Sequence, residues 1–188
     1  MNIVDAVKTS EDTKRVAELL LKHRGQLYAD IWMLGVNMAL RISDLLAISM
    51  DEATSAVRAG KLIVKEGKTG KRREIALNAT AKGIITRRRA SESAATWLFE
   101  VNSNRAKGKA VSRISVGRVF KEIGDVIGVN IGTHSMRKTL GWNMHNAGVP
   151  IERICKVLNH SDPSVTMAYI GLDQQTIDDD MHEFEMRF

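Results

Sequence analysis

Apolar residues return every three to four positions along most of the chain, the period of a helix with one buried face. Val16, Leu19, Leu20 and His23 share such a face, predicting a helix over Ser10 to His23 that Thr9 caps with Asp12 three residues on. Tyr28 to Leu40 is almost wholly apolar and reads as a buried helix with Arg41 directly after it. Ser43 and Asp44 can cap a short helix carrying Leu45, Leu46 and Ile48. The pattern then changes. Lys61 to Lys65 and Arg72 to Leu77 are short β-prone runs, and the loop Glu66-Gly67-Lys68-Thr69-Gly70-Lys71 between them suits a hairpin. Helical spacing resumes after Asn78, a cap for a helix reaching Arg88, and Trp97-Leu98-Phe99 precedes a polar, basic loop from Asn102 to Lys109. Val116, Val119, Phe120, Ile123 and Ile127 mark a helix from Ser115 that Gly128 ends. Thr133 is the expected cap of the next helix, His134 to Asn146, which stops at Gly148; Pro150 opens Ile151 to Leu158. A helix from Ser164 holds Tyr169, and an acidic tail with Met181, Phe184 and Phe188 follows. The expected fold is mostly α with one small antiparallel hairpin, in a single domain over residues 1–188.

At 188 residues the chain is long enough to bury its own core, and 44% apolar with 27% charged residues is an ordinary globular balance. The longest apolar stretch, Ala29 to Leu40, is too short to span a bilayer, and the N-terminus has no basic-then-apolar signal pattern. The lone Cys155 can form no internal disulfide, so a cytoplasmic, nucleoid-associated location without a membrane partner is the expectation. Charge adds more. Against 22 acids stand 28 Lys and Arg, a net of +6 that favours a polyanionic partner. From Lys82 to Lys121 ten basic residues face two acids, a net of +8, whereas from Leu172 to the end six acids face one arginine, a net of −5. The middle of the chain is suited to phosphates, and Lys71, Arg87, Arg88, Arg105, Lys107, Lys109, Arg113 and Arg118 are the expected DNA contacts.

Several residues invite chemistry. His134 and Arg137, three apart on a helix, project from one face and can hold the same anion. Arg41 ends an apolar helix, where its guanidinium needs a partner, and Asp44 is the expected one. Lys68 sits in the hairpin loop, His160 at a helix-to-loop junction and Tyr169 nine residues later. Taken singly, each also fits an ordinary core or surface role.

Together, Ala39 to Leu46 around Arg41, Lys68-Thr69-Gly70-Lys71, Thr133 to Thr139 around His134 and Arg137, and Leu158-Asn159-His160-Ser161 to Tyr169 resemble, in order and spacing, the catalytic domain of the tyrosine recombinase (phage integrase) family. The resemblance runs from about Arg15 to Leu172. It implies that Arg41 and Arg137 bind the scissile phosphate, that Lys68 is the hairpin lysine, with Lys71 and Lys65 nearby, and that His134, His160 and the nucleophile Tyr169 complete the catalytic set with Asp44 in support. It further implies site-specific cutting and rejoining of double-stranded DNA through a 3′-phosphotyrosyl intermediate. No metal or cofactor is implied. Tetramers on DNA, a tail from residue 172 exchanged between subunits, and accessory DNA-bending proteins are further implications.

The chain departs from the family pattern at Asn159, where Gly is common, at Lys138 for His, Met136 for Leu and Asp44 for Glu. No N-terminal clamping domain fits before residue 10, which predicts either an excised catalytic domain or a short recombinase with weak, steeply salt-dependent DNA affinity. Two other readings share these residues: a DNA-binding regulator that has lost cleavage, and a strand-relaxing enzyme like a type IB topoisomerase.

Overall fold

The computed structural model describes residues 4–101, 106, 108–172 and 178. Among them lie nine helices and one two-stranded sheet. Helix α1 (Ser10–Arg24) begins at Thr9, whose hydroxyl accepts the Asp12 amide at 2.9 Å as the capping pattern predicts. Gly25, at φ 84°, reverses the chain at once into α2 (Gln26–Met38), and the two helices pack together. Trp32 of α2 is fully buried, donates its indole N–H to the Thr13 carbonyl at 3.0 Å and meets the edge of Phe120 at 5.4 Å between centroids.

Helix α3 (Ile42–Leu46) follows α2 directly, and α4 (Met50–Ala59) starts from a reciprocal Ser49–Glu52 capping box. Strands β1 (Lys61–Lys65) and β2 (Arg72–Ala76) pair antiparallel, with Lys65 opposite Arg72, so the turn between them is Glu66 to Lys71. Helices α5 (Ala79–Ser91), α6 (Arg113–Ile127), α7 (Ser135–Asn146), α8 (Ile151–Leu158) and α9 (Pro163–Ile170) complete the order. None of the helices in the described residues is long and apolar enough to cross a membrane.

Two differences from the sequence reading bear on the site. Helix α2 stops at Met38, two residues early, because Ala39 turns to the left-handed region at φ 49°, ψ 33°. This conformation costs an L-residue about 1–2 kcal/mol and has no glycine or asparagine to announce it. Helix α7 has no side-chain cap from Thr133: His134 occupies the cap position, and the Ser135 hydroxyl instead accepts the Gly132 amide.

The apolar interior divides in two. The large core joins α1 to α6 with Met136 of α7, and a small second core gathers Ala39, Ile154, Leu158 and Ile170, with Leu140, Met144 and Tyr169 against it. Gly141 of α7 lets the second core close, since a Cβ there would stand 2.6 Å from Ile170 and 3.1 Å from Leu158. Every residue singled out for chemistry lies near the seam between these cores or on the hairpin beside it.

Candidate active site

The seam is organised by Arg137, a side chain with only 2% exposure. Its Nη1 donates to the Ala39 carbonyl and its Nη2 to the Leu158 carbonyl at 2.6 Å. Both acceptors lie at the C-terminal ends of helices, where carbonyls lack intrahelical donors and carry partial negative charge. The early stop of α2 thus turns a carbonyl toward the guanidinium.

Arg41 sits across the seam, at the entrance to α3, and its partner is not the expected Asp44. Arg41 donates to Oε2 of Glu66 at 2.6 Å, and Glu66 is completely buried. Asp44 faces the hairpin instead, accepting the Gly67 amide at 3.0 Å, while its Oδ2 is buried without a partner. The correction has a steric basis: Asp44 lies one turn into α3, and its short side chain reaches the loop rather than back to the preceding guanidinium. Glu66 collects three further donors, Thr69 at 2.9 Å, Asn159 at 2.6 Å and Arg73 at 3.5 Å. Burial works to raise its pKa, but hydrogen bonds from Arg41, Thr69 and Asn159 and the Arg41 charge prevail and hold the carboxyl below its ordinary value.

Glu66 and Arg73 are the site residues that sequence reasoning missed. Arg73 donates to Glu66 and to the carbonyls of Ala39 and Val157, tying β2 to both cores. Its strand position, facing inward in an otherwise polar run, was the available signal for burial.

The remaining groups converge here. Tyr169, one residue before the end of α9, places its oxygen 3.3 Å from Nδ1 of His134, and its ring meets His160 edge-on at 4.9 Å between centroids. Burial raises the phenol pKa, opposed by the charge and hydrogen bond of Arg137 and the charge of Arg41. His134 is held below its usual value by partial desolvation of its ring and by Arg137, Arg41, Lys138 and Lys68. His160 falls to about 4 through burial, Arg137 and Arg41, so it is neutral at pH 7. Its Nδ1 lies 3.0 Å from the hydroxyl of Thr166, a fully buried residue one turn before Tyr169. Asn159 ends α8 at φ 52°, ψ 46°, the left-handed conformation for which glycine or asparagine is suited, and the turn it makes carries His160. Lys138 stands 5.4 Å from the Tyr169 ring centroid.

Lys68 is exposed in the hairpin turn, and Lys71 is exposed beside it. The other expected DNA contacts scatter. Lys109, Arg113 and Arg118 are exposed around the start of α6. Arg87 is exposed too but pairs with the buried Asp30. Arg88 is a correction: it is 5% exposed, donates from Nε to the Leu98 carbonyl at 2.6 Å and reaches Asp30 at 3.5 Å, so it fills an interior position and is not a surface cation. Arg105, Lys107 and nearly all of the tail lie outside the described residues. Among the described residues no group of His, Cys, Asp and Glu could hold a metal ion.

Comparison with known proteins bears on this arrangement. The model of the phage integrase family matches residues 3–176. A probable integrase/recombinase, YoeC of Bacillus subtilis, is 33% identical over 177 residues, 94% of each chain. Tyrosine recombinase XerA of Pyrococcus furiosus is 30% identical over 166 residues, covering 86% of this chain but 55% of its own length, so the chain spans about half of that relative. Among solved structures, a crystal structure of XerA recombinase superposes with a TM-score of 0.72 at 15% identity, over the whole of this chain and 66% of that one. A lambda integrase dimer bound to a COC′ core site gives 0.67 at 15% identity, over 93% of this chain and 62% of that one.

Proposed function

The chain belongs to the phage integrase family and is a DNA recombinase, and we propose that it breaks and rejoins DNA at specific sites with Tyr169 as nucleophile. The observation that carries the assignment of residues is the convergence of Tyr169, His134, His160, Arg137 and Arg41 from four separate chain segments on one seam.

The geometry supports a direct sequence of steps. The Tyr169 oxygen attacks the scissile phosphorus, forming the O–P bond as the P–O5′ bond breaks, and its proton passes to Nδ1 of His134, 3.3 Å away. The lowered pKa of His134 favours the neutral ring, whose Nδ1 accepts in the tautomer that carries its proton on Nε2. Arg41 and the donors of Arg137 not engaged with carbonyls neutralise charge on the non-bridging oxygens. Two guanidiniums supply what a divalent cation would otherwise provide. The 5′ oxygen departs with a proton from Lys68, brought down by the hairpin. The Thr166 hydroxyl shares a hydrogen bond with Nδ1 of His160, which orients the ring and leaves Nε2 as the nitrogen that can meet the phosphate. Rejoining runs the steps backward, and the phosphotyrosyl link stores the bond energy.

The experiment uses nicked duplexes randomised over the central base pairs. Covalent adducts are captured under denaturing conditions in the presence of EDTA and the attached DNA is sequenced. The wild-type chain should enrich one family of sites, and Tyr169→Phe should leave no adduct while still shifting the recovered duplex in a native gel. Adduct that persists in Tyr169→Phe would remove the assignment. Enrichment separates site-specific recombination from relaxation without sequence preference, and the covalent link separates both from a silent DNA-binding regulator. Assembly as a tetramer, accessory bending proteins and exchange of the tail belong to the same proposal. Its test is the stoichiometry of the complex on the recovered site with and without residues 173–188.

A further inference from the structure

Glu66 is not used by the steps above, yet one of its oxygens accepts three hydrogen bonds from three different parts of the site. Oε2 takes Arg41 of the phosphate clamp at 2.6 Å, Thr69 of the turn that carries Lys68 at 2.9 Å, and Asn159 next to His160 at 2.6 Å. Oε1 faces Arg73 at 3.5 Å, and the backbone of Glu66 closes the same turn, accepting the Gly70 amide at 2.8 Å and donating to Lys71 at 3.0 Å. We infer that Glu66 is a positioning residue that couples the lysine turn to the phosphate clamp, so that Lys68 and Arg41 are presented to the DNA together. The inference rests on the recombinase reading of this site.

The physical case is one of shared restraint. Thr69 adjoins Lys68, and a turn of six residues has few other anchors: besides Glu66, Asp44 holds the Gly67 amide. An exposed lysine on a free turn samples many positions, and ordering it at the moment of reaction is an entropic cost. Tying the turn to the carboxylate that aims Arg41 removes part of that cost beforehand. A glutamine at 66 keeps size and shape but removes the charge that lets one oxygen hold three donors.

The discriminating probe is a duplex of the captured site in which sulphur replaces the bridging 5′ oxygen. Attack by Tyr169 then breaks a P–S bond, and the thiolate leaves without a proton, so the general acid becomes dispensable. The single-turnover cleavage rate of the full chain is measured on the oxygen and sulphur substrates. Glu66→Gln should slow the oxygen substrate by about 100-fold, within the range for losing a general acid, and the sulphur substrate by only about tenfold, the residue left by a misaimed Arg41. Combined with Lys68→Ala, it should add much less than its separate effect to the oxygen rate, because both act through the same proton. Thr69→Ala, exposed and leaving the Arg41 pair intact, should shift the ratio the same way by a smaller factor, which preserves the test if Glu66→Gln folds poorly. Equal slowing of both substrates in Glu66→Gln, or additivity with Lys68→Ala, would overturn the coupling. If instead the wild-type chain captures no DNA at all, the recombinase reading itself fails, and this role with it.

Discussion

Substituting Gly141 by alanine tests whether the second core sets the position of Tyr169, the nucleophile proposed above. The added Cβ would lie 2.6 Å from Cγ2 of Ile170 and 3.1 Å from Cδ1 of Leu158. Carbon atoms in contact prefer about 3.5–4.0 Å, so α9 must retreat from α7 by about 1 Å. Overpacking of this kind costs about 1–3 kcal/mol, while alanine gains about 0.5–1 kcal/mol over glycine inside a helix, leaving a net loss near 1–2 kcal/mol. A well-folded protein survives that. Cleavage should not, because Ile170 adjoins Tyr169, and a misplacement of about 1 Å at a reacting group can cost about 100-fold in rate. Gly83→Ala in α5 is the control: nothing lies within 4 Å of its Cβ position, and the change should stabilise by about 0.5–1 kcal/mol with cleavage unaltered. The assays are thermal unfolding and single-turnover adduct formation on the captured site. A Gly141→Ala chain that melts lower yet cleaves at the wild-type rate would refute the idea that α9 is held in register by this contact.

Other outcomes are fixed by the same structure. Removing Arg88 as Arg88→Ala strands the buried Asp30 with only its exposed partners, Arg87 and Gln26, and should destabilise by about 3–5 kcal/mol in urea unfolding. Arg113→Gln or Arg118→Gln should leave unfolding unchanged and reduce the slope of log binding constant against log salt by about 0.9 for each phosphate that the side chain had neutralised. His160 is neutral in the fold down to about pH 4, whereas its unfolded value is 6.5, so the unfolded chain binds the extra proton between these limits. Stability should therefore fall as pH drops through that window, and His160→Asn should flatten the melting-temperature profile there. Glu66 acts lower: its depressed pKa contributes stability above the unfolded value of 4.5 that is lost as pH falls through the folded one, and Glu66→Gln removes that lower segment alone.

Residue patterns announce most of this architecture, and where they fall short the causes are local. The caps at Thr9 and Asn78 follow from side-chain chemistry that acts within a few residues and stand where the pattern puts them, and Asn159 takes a left-handed turn that asparagine tolerates as glycine does. Ala39 carries no such mark; its turn is imposed by the Arg137 and Arg73 guanidiniums that take its carbonyl from sequence distances of 98 and 34. Partner choice was hidden for the same reason. Asp44 is near Arg41 in sequence, but Glu66, 25 residues on, is the carboxylate that the hairpin delivers to it. Arg88 sits within a basic run, and its burial comes from Asp30 and Phe99, neither near it in sequence.

The acceptors that seat Arg137 are main-chain oxygens of Ala39 and Leu158, groups that every amino acid carries. Sequence drift at those two positions therefore spares the acceptors themselves, provided that the chain still bends there and the new side chain fits the second core, so a scan of residue types at 39 should be read for backbone compatibility and side-chain volume. Insertion of a single residue into α2 or α8 is a different matter: it rotates the terminal carbonyls by about 100° around the helix axis and would unseat a guanidinium that no point substitution in either helix touches directly.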